Sequence, residues 1–131
     1  MTTIQRFLLD DQPEPVSHYC HAVRAGDRVW LAGTVGIRAD GSIPESVVEQ
    51  FEVAMSNLDR ALRAAGGAPE NIVKVQVFLV DVNDREKINP VRQAYFGQNR
   101  PASTLVEVSG LVYPELKVEI EAEAILDISP D

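Results

Sequence analysis

The chain is poor in the residues that staple small domains or bind metals. One cysteine, Cys20, leaves no intramolecular disulfide to form, so the fold has to rest on its apolar core. Histidine is almost as scarce: His18 and His21 have no second ligand cluster at helical or finger spacing, and no metal is expected. Cys20 and His21 are sequence neighbours, which on a strand sends them to opposite faces and makes them a poor nucleophile and base. No apolar run approaches the roughly 18 residues of a spanning helix, and Met1 to Asp11 has no basic stretch leading into an apolar core. Positive charge is also short. Lys and Arg number 12 against 20 Asp and Glu, a formal net charge of -8, and nowhere do they form a stripe. Nucleic-acid binding draws most of its affinity from neutralised phosphates, so RNA or DNA is not an expected partner, and a ribonuclease would also need a paired acid and base. A soluble cytoplasmic protein, away from the membrane, is the expectation.

What is present fits one domain over residues 1–131, long enough to bury a core without a disulfide or a metal. Ile4 to Leu9 reads as a short strand closed by a proline-bearing segment, Asp10 to Pro15. His18 to Ala25 and Arg28 to Gly33 flank Gly26-Asp27, a hairpin turn signal. After a polar loop, Gly36 to Pro44, a helix starts at Ser46, where Ser46 and Glu49 have capping-box spacing. Val47, Phe51, Met55, Leu58, Leu62 and Ala65 make one apolar stripe before Gly66-Gly67 ends it. Ile72 to Asp81 alternates, with Val73, Val75, Val77 and Leu79 assigned to the face that the helix covers, as in a right-handed strand-helix-strand crossover. Pro90 would break a continuous helix, so the second helix is placed from Asn89-Pro90, with Val91 and Tyr95 facing inward.

The last third carries the most information. Arg100-Pro101-Ala102-Ser103-Thr104-Leu105-Val106-Glu107-Val108 is answered by Val118-Glu119-Ile120-Glu121-Ala122, and the two runs read as a hairpin. In the second, Leu116, Val118, Ile120, Ala122 and Ala124 share one face and Lys117, Glu119, Glu121 and Glu123 the other. The order of elements indicates an α+β fold, a mixed sheet with two helices on one face.

Those two runs, with His18-Tyr19-Cys20-His21-Ala22-Val23, Trp30-Leu31-Ala32-Gly33 and Val77-Phe78-Leu79-Val80-Asp81-Val82-Asn83-Asp84, resemble the signature of the RidA/YjgF family over nearly the whole chain. The resemblance implies a chorismate mutase-like architecture, a homotrimer with sheets packed inward, a small-molecule ligand in the clefts between subunits, and no cofactor. Trp30 and Phe78 then read as core or interface residues. Deaminating members hydrolyse an enamine or imine to a keto acid and ammonia. An arginine grips the substrate carboxylate and a glutamate holds the attacking water. Carried over, Glu119 is the water-holding acid, with Tyr19 at the pocket wall, Gly33 meeting the ligand through its amide and Asn83 near the rim. Ser103 stands where those members have the arginine. Pro101 keeps Arg100 from reaching back to replace it.

Each position has a plain structural reading beside the functional one. Tyr19 would be a half-buried strand residue, Gly33 a strand end and Asn83 a turn cap, with Glu119 one of a solvated row of acids. Two functions follow. One is a hydrolytic enamine or imine deaminase with a divergent substrate, such as the longer conjugated enamines of the aminomuconate type. The other is a non-catalytic small-molecule binder or accessory protein using the same cleft.

Overall fold

The long helix is where sequence pattern and packing agree most closely. The computed structural model describes residues 2–127, and in it α1 spans Val47–Ala64. The Ser46 hydroxyl accepts from the Glu49 amide at 3.1 Å, as the capping box predicts. The Glu49 carboxylate does not close the box but turns to Arg38. At the other end Gly66, at a φ of 97° that disfavours a β-carbon, lets Gly67 N–H return to Leu62 O at 2.9 Å. Phe51, Leu58 and Leu62 lose all exposure beneath this stripe.

Around α1 the chain runs β1 (Ile4–Phe7), β2 (Ala22–Ala25), β3 (Arg28–Val35), α1, β4 (Ile72–Leu79), α2 (Arg85–Phe96), β5 (Ala102–Glu107) and β6 (Val118–Ile125). One mixed sheet takes the order β1-β2-β3-β6-β4-β5, with both helices contributing to a single core on one face. The expected hairpin of the last two strands is not formed. β6 inserts between β3 and β4, antiparallel to both, and β5 lies parallel to β4 at the sheet edge. The reason is burial. Val118, Ile120, Ala122 and Ala124 are all nearly inaccessible, so β6 takes the centre, where both its backbone edges find partners, while the more exposed β5 goes outside.

Two further expectations are corrected. Val73 is exposed and Ile72 buried, the reverse of simple alternation, because β4 carries an extra residue between Ile72 and Lys74 in its pairing with β6. From Val75 onward the predicted face holds. The second helix begins at Arg85, not Asn89, and includes Pro90. A 3-10 turn, Val82–Asp84, capped by the Asp81 side chain, feeds directly into it, and the full burial of Ile88 holds the first turn against the core. Packing overrides the break at the cost of one helical hydrogen bond. Val91 and Tyr95 do pack inward, and the Tyr95 hydroxyl donates to Asp59 of α1 at 2.7 Å.

Among the described residues no helix covers the opposite face of the sheet. Trp30 and Val106 are exposed there, with Phe78 half-buried, among Lys74, Gln76, Glu121 and Glu123.

Candidate functional site

The site starts from an irregularity in β3. Leu31 faces Ala122 across the ladder and the next aligned pair is Thr34 with Ile120, so β3 has one residue too many between them. Such a bulge bends the strand and re-aims what lies on it. Here the Thr34 hydroxyl donates to Ala32 O at 2.8 Å, and the Ala32 amide donates to His21 O at 3.0 Å. Gly33 sits in the bulge, and the carboxylate of Glu119 lies against it, in the space that a β-carbon would fill.

A cleft of about 430 Å³ opens over this spot, within the usual size of a small-molecule site. Its far wall is the segment from Gln12 to Val16, which two polar anchors hold in place. The Gln12 side-chain amide donates to Asn57 O at 2.6 Å, and Asn57 in turn donates to Ile37 O at 3.0 Å. The Leu9 amide donates to His21 Nδ1 at 3.0 Å, so the ring proton sits on Nε2 and faces Pro13 O, also 3.0 Å away. With both nitrogens occupied, His21 is a clamp for the wall rather than a free base. Tyr19 lines the same cleft, largely exposed, and the Cys20 thiol turns away to Ala22 O.

Glu119 is half-buried and has no hydrogen-bond partner among the described residues. Loss of water around it, and secondly the negative charge of Glu121, raise its pKa above the ordinary 4.5. The cleft lining includes Glu14 as well and no lysine or arginine. It can therefore hold a water or a polar, electron-poor group beside Glu119, but within one chain it offers an anion no cationic partner.

Of the five residues singled out from the sequence, the fold brings Tyr19, Gly33 and Glu119 together. Asn83 is on the exposed 3-10 turn after β4, its amide bonded to Asp81 Oδ1, outside this cleft. Ser103 is also elsewhere. It pairs with Val75 on the helix-covered side of the edge strand β5, whereas Glu119 pairs with Phe78 on the open side. Its hydroxyl accepts from Arg92 Nη2 of α2 at 2.9 Å. Arg92 carries no motif, because only the crossover from β4 to β5 sets α2 beside position 103. Gln12 likewise carries no motif, and nothing in the stretch around His21 marks it as the clamp of this wall.

Residues 9–126 match the family described as endoribonuclease L-PSP. A RutC family protein of Pyrococcus horikoshii is 34% identical, over 88% of this chain and 92% of its own length. A protein of Mus musculus named 2-iminobutanoate/2-iminopropanoate deaminase is 34% identical, over 86% of this chain and 84% of its own. The crystal structure of RidA from an Antarctic Psychrobacter superposes with a TM-score of 0.89 at 30% identity, covering 93% of this chain and 99% of that one. By sequence match and by fold alike, the chain belongs to the RidA/YjgF family.

Proposed function

We propose that the protein is a hydrolytic deaminase of enamines or imines, working as a homotrimer with its small-molecule ligand in the clefts between copies. The observation that carries this reading is the half-buried, unpartnered Glu119 carboxylate packed on the Gly33 bulge in an open cleft. A carboxylate so placed accepts a proton from water while the water oxygen bonds to the imine carbon and the C=N π pair moves to nitrogen. Passing that proton on to nitrogen gives a carbinolamine, and moving its hydroxyl proton to nitrogen in the same way lets ammonia leave as the carbonyl forms, so one water and one imine give one carbonyl compound and one ammonia. The deaminase name of the mouse relative supports the reaction class. The open sheet face with Trp30, Phe78 and Val106 supports self-association, since an apolar patch of that kind is a surface for a partner.

The substrate departs from the smallest imino acids, because position 103 is a serine and no cation stands there. Conjugated 2-amino-dienoates of the aminomuconate type are the substrates proposed in their place. The test is ammonia release above the spontaneous rate from freshly generated 2-iminobutanoate, 2-aminoacrylate and 2-aminomuconate. Acceleration of at least one, with the longer substrate preferred, is the expected result. No acceleration of any would overturn the enzyme reading and leave a binder.

A further inference from the structure

Two charged groups without an ion-pair partner among the described residues, Arg92 and Glu119, lie on different surfaces. Arg92 is half-buried, and burial pulls its pKa below the ordinary value. Yet it takes part in none of the ion pairs among the described residues, which are Arg38–Glu49, Arg63–Asp59 and Lys87–Asp84. Its guanidinium has Ser103 Oγ as a neutral partner at 2.9 Å. Of the other half-buried cations, Arg24 donates to Gly26 O and to Ala65 O at the carboxyl end of α1, and Lys74 donates to Thr104; Arg60 donates to Asn57 Oδ1, and its unpartnered Nε is closed off from any ligand by burial. A guanidinium presents a planar fork of donors, and one serine oxygen leaves most of that fork free for a carboxylate.

The cleft of Glu119 has the opposite imbalance, with carboxylates and no cation. One chain cannot join the two. β5 is two strands away from β6, about 10 Å at ordinary strand spacing, and Ser103 and Glu119 face opposite sides of the sheet. A cationic patch and an anionic cleft on different surfaces of the same molecule are what a head-to-tail contact pairs, and such contacts close into rings.

From this juxtaposition we infer that Arg92, oriented by Ser103, is the carboxylate-binding residue of the site and serves the Glu119 cleft of a neighbouring copy. This rests on the proposed self-association and names the substrate class as a carboxylate-bearing imine or enamine. Arg92 touches the substrate, and Ser103 is a positioning residue that acts through it. The serine at position 103 then moves the cation to α2 without abolishing it.

The test is calorimetric titration of the intact protein with 2-oxobutanoate, a stable keto acid, and with butanone as its uncharged counterpart. Arg92→Met keeps the apolar stem and removes the fork, and should weaken 2-oxobutanoate binding by about ten- to a hundredfold while leaving butanone unchanged. Arg92→Lys should recover part of the loss, and Ser103→Ala, the milder change, should weaken the keto acid severalfold. Equal affinity of wild type and Arg92→Met for 2-oxobutanoate, with both variants folded by circular dichroism, would overturn the inference. Copies carrying Arg92→Met refolded together with copies carrying Glu119→Gln should regain, at mixed interfaces, a turnover that neither variant alone supports. No gain on mixing would overturn the assignment to a neighbouring copy. If wild type releases no ammonia from any imine but the titration still depends on Arg92, the enzyme reading falls and this one stands.

Discussion

The carboxylate of Glu119 occupies the place of the β-carbon that residue 33 lacks. Gly33→Ala therefore sets a methyl group against the free end of a flexible side chain, which can swing aside. Stability should change by less than about 1 kcal/mol, while a displaced Glu119 lowers kcat by roughly a hundredfold, the usual cost of misplacing a reacting group by about 1 Å. Gly36→Ala makes the contrast. Its β-carbon would run into the backbone of Gln50 in α1, which cannot swing aside, so that variant should melt far below wild type. Thermal melts and turnover of the two variants together check the pair.

The raised pKa of Glu119 gives a pH dependence of defined sign. The native state holds this proton more tightly than the unfolded chain, so the group contributes a destabilisation that grows as pH rises above 4.5 and is complete once pH has passed the raised native pKa. Glu119→Gln should be more stable than wild type at pH 7, and the difference should vanish below the ordinary carboxylate pKa. In wild type, the acid limb of kcat/KM should lie above 4.5 and disappear in the glutamine variant. Denaturant melts and rates across pH read both effects.

Gln50 is fully buried and makes three hydrogen bonds from one side chain. Its amide donates to Pro44 O and Glu115 O, each at 2.9 Å, and its oxygen accepts from Lys117 N at 2.8 Å. It thereby fixes the start of β6 two residues before Glu119. Gln50→Ala strands all three backbone groups, a loss of about 3 kcal/mol or more and a fall in Tm of roughly 10 °C.

These particulars mark what could be read from the sequence. The stripe on α1 and the alternating face of β6 were legible because local periodicity matches the burial that results. The strand order was not. Nothing local tells β6 to insert between β3 and β4, since that choice depends on comparing its burial with that of β5. Bulges at Val73 and Gly33 break alternation through long-range register, which one strand cannot display. Tyr19, Gly33 and Glu119 were found through resemblance and meet in one cleft. Gln12, His21 and Gln50 act through backbone carbonyls and amides far away in sequence, a relation without a motif.

Pro90 shows the same competition within a helix. It lies inside α2, where it cannot donate to the carbonyl one turn back. Pro90→Ala restores that bond, and the gain exceeds the freedom returned to the unfolded chain. A stabilisation of about 1 to 2 kcal/mol is expected in denaturant titration, with turnover unchanged.

The most direct measurement is steady-state ammonia release by wild type and Glu119→Gln on the preferred imine, corrected for spontaneous hydrolysis. If Glu119 handles the proton of the attacking water, kcat falls by about a hundredfold or more while KM stays near its wild-type value. Equal kcat in the two proteins would contradict the account and remove Glu119 from the chemistry.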